Sequence, residues 1–218
     1  MQILSSIKLF LVTLFITTLS CINNTLNAPS GGFNAVVEVM TEEDSIRNLF
    51  IENPQFIANS FDFPVGKPDA KGYYNAQSFG KNNHLGDDWN GNGGGNSDKS
   101  DPVYSIATGY VSKAINYFGG WGKVVTIIHS YKDGDSLILK ESLYAHLDTM
   151  MVHKGDWITK GQEIGKIGTA DGIYLAHLHL EIRQEPGMPL GQGYSSDKKG
   201  YLDPTLFIRR HRLIQSNE

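Results

Sequence analysis

The chain has 218 residues, 40% hydrophobic and 19% charged, an ordinary globular composition with room for one well-buried domain and accessory segments. Nineteen Lys and Arg against 23 Asp and Glu give a formal charge of −4, and no basic cluster precedes the short run Arg209-Arg210-His211-Arg212. That balance argues against a nucleic-acid partner, and the run itself reads as a solvated tail. The only cysteine, Cys21, excludes an intrachain disulfide.

Residues 1–21 read as an export signal. Lys8 precedes the apolar run Leu9 to Leu19, which is short for a membrane span and suited to a secretory core. The run ends at Ser20-Cys21, where the cysteine resembles a lipoprotein cleavage site whose acylated thiol anchors the mature chain to a membrane. Thr18 stands where such sites usually carry Leu. With Ser20 it also suits an ordinary signal peptidase, so a soluble secreted product is the alternative. Either route places the protein outside the cytoplasm, in the cell envelope or beyond it.

Residues 22–60 read as a tether followed by a short helical segment. The stretch to Asn34 is rich in Asn, Gly, Ser and Pro. Thr41-Glu42-Glu43-Asp44 then predicts a helix with Thr41 as N-cap and Ile46, Leu49 and Phe50 on one face. Whether it packs on the domain or spaces it from a membrane is left open at this level.

From residue 61 to 210 short apolar runs alternate with Gly, Asn and Asp, the pattern of an all-β domain, and residues 211–218 follow as a tail. Strands are predicted at Val103–Ala107, Tyr110–Ile115, Val124–His129, Ser142–His146, Ile164–Ile167 and Leu175–Arg183. No helical periodicity supports a parallel α/β alternative. The Gly- and Asn-rich segment Asn90–Ser100 reads as a flexible loop, either bordering a groove or making a plain surface excursion.

Two segments carry the chemistry. In Leu175–Arg183, strand alternation sends His177, His179 and Glu181 to one face and Leu178, Leu180 and Ile182 to the other. Imidazoles two residues apart lie roughly 6–7 Å apart along a strand, so they share one metal only with strain. The simpler arrangement makes one histidine a ligand and lets its neighbour act on water. Upstream, His84 and Asp88 are four apart, with Gly86 between them, in surroundings that favour a loop or strand end. Two imidazoles and a carboxylate match a catalytic zinc site with a position left for water. His146, at a predicted strand end, adds a fourth imidazole able to orient water or stabilise an oxyanion. His129, His153 and His211 read as packed or surface residues.

His84-Leu85-Gly86-Asp87-Asp88, Tyr144-Ala145-His146-Leu147 and His177-Leu178-His179-Leu180-Glu181 resemble the three signature motifs of the lysostaphin/LytM-type zinc metallopeptidases. Lys154 to Gly165 resembles the Gly-containing run between the last two. The resemblance covers roughly residues 62–207 and implies a two-layer antiparallel β fold, a barrel-sandwich hybrid of the duplicated hybrid-motif kind. It implies zinc held by His84, Asp88 and His179, with His146 and His177 as the catalytic residues serving water and the tetrahedral intermediate. It also implies a peptidoglycan peptide as substrate, and a supporting or folding role for Glu181. One departure is the turn before the last motif, which reads Gly168-Thr169-Ala170-Asp171-Gly172-Ile173-Tyr174 where the family is Thr-Gly-rich.

Three functions remain at this level. The first is an envelope zinc endopeptidase acting on peptidoglycan cross-links. The second is a non-hydrolytic lipoprotein that binds wall peptide or activates another hydrolase, against which the full ligand set argues. The third is ferrous-iron oxygen chemistry on the same donors, disfavoured by the two additional histidines and the exported location.

Overall fold

The computed structural model describes residues 40–212; the signal segment, Cys21 and the tether as far as residue 39 lie outside the described residues, as do 213–218. Among the described residues the order is α1 (Glu42–Glu52), β1 (Tyr73–Gln77), β2 (Asp87–Gly91), β3 (Pro102–Tyr104), β4 (Gly109–Asn116), β5 (Lys123–Asp133), β6 (Ser136–Met150), β7 (Trp157–Ile158), β8 (Glu163–Ile167), β9 (Leu178–Arg183), β10 (Tyr201–Leu202) and α2 (Pro204–Arg210). The strands form an antiparallel sheet that does not close, ordered β1-β2-β9-β6-β5-β4-β7, with β10 on β9 and β8 joining β6 to β3. The all-β antiparallel class and the short N-terminal helix agree with the sequence pattern.

The long strand β6 organises the sheet. One edge pairs with β5 through a tight hairpin closed at Asp133↔Ser136. The other edge pairs with β9 from Glu141 to Ala145, then leaves it and pairs with β8 from Leu147 to Met150. The sheet therefore forks at His146. The β5 ladder also slips there, with Ala145 and His146 lying between the pairs Tyr144↔Val125 and Leu147↔Lys123. His146 takes the left-handed backbone conformation, φ 61°, which is uncommon for a residue with a side chain. A bulge of this kind turns a side chain out of the regular alternation.

Beneath the fork lies the main apolar core, which includes Val125, Ile127, Ile164, Ile167, Leu178 and Leu180, all completely buried. Each such aliphatic side chain contributes about 1.5–3 kcal/mol relative to exposure. Tyr144 is buried among them with its hydroxyl satisfied, accepting from Ile106 N at 3.0 Å and Ser142 Oγ at 3.1 Å.

At the N-terminal end, α1 starts with a reciprocal cap: Asp44 N donates to Thr41 Oγ1 at 3.1 Å, and Thr41 N donates to Asp44 Oδ2 at 3.3 Å. Phe50 is fully buried, packing with Ile128 and Leu139 and meeting Trp157 edge-on at 5.3 Å. The helix thus packs on the domain. The C-terminal basic run is solvated, as its composition suggested, at the exposed Arg209 and Arg210, but the segment around them is docked. Asp203 caps α2, Phe207 and Ile208 enter the core, and Arg212 pairs with Asp69 at 2.6 Å. Sequence charge alone hid this because the two anchoring apolar residues sit immediately before the arginines. No helix among the described residues is long and apolar enough to cross a membrane.

His129 is a packed residue, completely buried, with Nδ1 on Thr108 O at 3.0 Å and Nε2 on Ser142 Oγ at 2.7 Å. Burial pushes its imidazole down to about 4, against the smaller upward pull of the Thr108 carbonyl. The unfolded chain therefore binds a proton that the folded one refuses between about pH 6.5 and 4, and stability falls as pH drops through that window. The loss at this residue amounts to about 2 kcal/mol between pH 7 and 5. Urea unfolding of the metal-free His129→Gln variant is expected to show a correspondingly smaller drop between those pH values than the wild type; an equal drop would assign the sensitivity elsewhere.

Candidate metal centre

The register of β2 on β9 sets Asp88 directly across from His179, so their Cβ atoms are close, roughly 4.5–5.5 Å in such pairs. His84 arrives from the loop before β2, where its backbone bridges to Tyr194 and Leu85 N donates to Gly193 O at 2.9 Å. Three atoms then converge: His84 Nε2 to His179 Nδ1 is 3.0 Å, His179 Nδ1 to Asp88 Oδ1 is 2.9 Å, and His84 Nε2 to Asp88 Oδ1 is 3.3 Å. Donors on a tetrahedral ion with bonds of 2.0–2.1 Å lie about 3.4 Å apart. The triangle needs to open by only a few tenths of an ångström to hold one, and these residues could hold a metal ion.

The remaining ring nitrogens orient the donors. His84 Nδ1 lies 3.1 Å from Gln77 O, and His179 Nε2 lies 3.2 Å from Glu181 Oε1. An N–H on each of these outer nitrogens leaves a lone pair on each inner one, the arrangement that metal-binding imidazoles adopt. Electrostatics agree. Burial opposes the charge on Asp88, but hydrogen bonds from His179 and His84 outweigh it and hold the carboxyl well below the usual range. Burial also opposes protonation of His179, yet Asp88 and Glu181 raise it to about 9. The metal-free site thus keeps a proton where a cation fits.

The other two motif histidines flank this triangle. His177 precedes β9, held by a backbone bridge to Gly168. Its Nδ1 donates to Leu175 O at 2.8 Å, which leaves Nε2 facing Asp88 Oδ1 at 3.8 Å. His146 lies with its ring centroid 4.7 Å from that of His177, aimed there by the bulge at the fork. Its Nδ1 is buried without a partner, and burial, reinforced by His179 and His177, pushes its imidazole down to about 3. A neutral imidazole with an unused nitrogen is poised to take up or offer a hydrogen bond. All five residues expected from the motifs therefore come together, whereas His129, His153 and His211 stand apart from them.

These side chains lie in a groove of about 620 Å³. Tyr194 packs on His84, while Tyr174 and Trp121 pack near His146. Trp121 Nε1 donates to Gly191 O at 3.1 Å, linking the turn after β4 to the loop after β9. The atypical turn after Gly168 presents Ile173, Tyr174 and Leu175 to the groove, all well exposed.

Some supporting residues escaped the sequence reading. The Gly- and Asn-rich loop after β2 is absent from the groove lining and sits behind His177 instead. Asn96 Oδ1 accepts from Ala176 N at 2.8 Å and Asn90 Nδ2 donates to Ala176 O at 3.2 Å, clamping both backbone groups of the residue before His177. Asp98 closes the loop by accepting from Gly91 N at 2.8 Å. Its composition gave the signal for a loop, but not which chain segment its amides would meet. Asp87, fully buried beside Asp88, accepts from Phe79 N, Thr205 N and Thr205 Oγ1, tying α2 to β2. The Asn96→Ala protein is expected to bind metal as the wild type does, since no donor is touched, while the segment carrying His177 loses one of its backbone anchors. Weakened metal binding would show instead that the loop supports the donors.

The antiparallel sheet thus brings two imidazoles and a carboxylate together in a groove as a centre that could hold a metal ion. The chain belongs to peptidase family M23, whose model matches residues 83–196, a span that includes all five clustered residues. Among proteins of similar sequence, lipoprotein NlpD of Yersinia enterocolitica is 34% identical over 85 residues, covering 39% of this chain and 79% of that one. The peptidoglycan DD-endopeptidase ShyB of Vibrio cholerae is 29% identical over 119 residues, covering 47% of this chain but only 27% of ShyB. In structure, cbpa from L. salivarius REN superposes with a TM-score of 0.50 at 24% identity, covering 70% of this chain and 96% of that one, a likeness of fold.

Proposed function

We propose that the protein is an exported zinc endopeptidase that hydrolyses peptide bonds in peptidoglycan cross-links. The observation that carries this reading is the convergence of a complete donor triangle with two further imidazoles in one groove. His84, Asp88 and His179 would hold the zinc, which when bound supplies a Lewis acid and lowers the pKa of water toward neutrality. His177 takes a proton at Nε2, the nitrogen left free by the bond of Nδ1 to Leu175 O. His146, kept neutral by burial, offers its ring N–H to a developing oxyanion or to water. Trp121, Tyr174 and Tyr194 supply flat apolar faces against which an extended peptide can lie. A lipid on Cys21 would hold this chemistry at a membrane beside the wall.

The experiment is digestion of purified peptidoglycan followed by mass spectrometry of the muropeptides. New peptide termini that disappear with chelator and return with zinc are expected; zinc-loaded protein that leaves every cross-link intact would refute the reading. The likeness to a protein named murein hydrolase activator NlpD in Salmonella dublin, 34% identical over 85 residues, supports a second reading, in which the domain binds wall peptide and activates a separate hydrolase. Stimulation of a partner hydrolase by a His177→Ala variant that itself cuts nothing would favour it.

A further inference from the structure

We propose that Arg183 is a positioning residue of the metal centre, holding the orienting carboxylate of one ligand and the loop behind another with a single guanidinium. The inference rests on the metal reading above and extends it to a residue with no contact to the donor triangle.

Arg183 ends β9 and is completely buried, as are Glu181 and Glu141. A charge so placed is tolerated only when its donors are used, and this one is heavily engaged. Its Nε donates to Glu181 Oε2 at 2.8 Å, and its Nη2 lies 2.8 Å from the same oxygen. The other carboxylate oxygen, Glu181 Oε1, is the one that faces His179 Nε2 at 3.2 Å. The guanidinium therefore fixes the plane of the carboxylate that fixes the imidazole. Alternation along one strand places all three on the same face.

The rest of the fork turns the other way. Nη2 donates to Leu190 O at 2.8 Å and Nη1 to Met188 O at 3.2 Å, both in the loop that follows β9. A few residues on, that loop pairs its backbone with the segment carrying His84 and lays Tyr194 against the His84 ring at 5.0 Å. Glu141 completes the setting. Its Oε1 stands 3.7 Å from Nη1, and its Oε2 accepts from Ser112 Oγ at 3.0 Å. One planar cation thus reaches His179 through a carboxylate and His84 through a loop. A lysine ammonium, a point charge on a flexible stem, cannot reproduce that fork.

The test is zinc affinity, measured by competition with a chromophoric chelator, for the wild type, Glu181→Gln, Arg183→Met and the double variant. Supporting partners of metal ligands are worth about 10–100-fold in affinity, and each single variant is expected to weaken binding by that order. Because both act largely through one link, the double variant is expected to fall well short of the product of the two losses. Arg183→Lys, which keeps the buried charge if the methionine variant fails to fold, is expected to weaken zinc and to alter the visible spectrum of the cobalt-substituted site. Folded Arg183→Lys protein with wild-type affinity and cobalt spectrum would overturn the proposal, as would fully multiplicative losses in the double variant. A wild type that binds no zinc would instead remove the metal reading itself.

Discussion

Substituting the two histidines of the His177-Leu178-His179 motif separately is expected to give two different proteins. His179→Ala should lose both stoichiometric zinc and turnover, because it removes one corner of a triangle whose other corners lie 2.9 and 3.0 Å away. His177→Ala should keep its zinc and lose turnover by about 10²–10⁴-fold, the usual worth of a positioned acid or base. The asymmetry comes from the chain path. His179 lies within β9, paired with Asp88 on one side and Ala145 on the other. His177 lies before the strand begins, on a segment held by Gly168 and the asparagine clamp. Zinc content by elemental analysis, measured beside muropeptide release, distinguishes them. Equal loss of zinc in both variants would make His177 a ligand and overturn the division of labour.

A second large effect is expected at Gly86, two residues from a donor on either side. A methyl group there would lie 2.4 Å from Leu180 O, 2.9 Å from His179 Cε1 and 3.1 Å from Glu181 Cγ. The first obstacle is backbone and cannot rotate away, so the loop before β2 must retreat from β9. Gly86→Ala is therefore expected to weaken zinc binding by about 100-fold, the upper end of the loss when support of metal ligands is removed, since His84 and Asp88 lie two residues to either side and His179 lies in its path. Destabilisation of about 1–3 kcal/mol is expected alongside, as for other overpacked sites. Chelator competition and urea unfolding measure the two effects; wild-type zinc affinity in the folded variant would show that the triangle tolerates the shift.

Much of this was legible in the sequence because the informative features are local. Alternation in Leu178–Arg183 is visible in the residues themselves, and the structure places Leu178, Leu180 and Ile182 in the core with His179 and Glu181 opposite. The same period continues to Arg183, a signal that the strand's functional face extends one residue further than its motif. By contrast β1 and β2 escaped prediction, being built from Tyr73-Tyr74-Asn75-Ala76-Gln77 and Asp87-Asp88-Trp89-Asn90-Gly91. Their polar side chains are accommodated by neighbouring strands, loops and the metal site, none of which has a local sequence signature. The predicted strand start at Leu175 was early for a related reason. Residues 175–177 alternate like a strand, but their backbone groups are claimed by Gly168, Asn90 and Asn96. Tyr194 had no sequence signal at all, since only the return of a long loop brings it to His84.

The forked path of β6 bears on how the proposed endopeptidase could be inhibited. Asp88 and His179 share one ladder, whereas the residues just beyond His146 are bonded to β8. A small molecule that wedges β8 away from β6 would displace His146 while leaving Asp88 and His179 paired. Such a compound would silence turnover without competing for metal, and its potency would be indifferent to the zinc concentration that defeats a chelating drug.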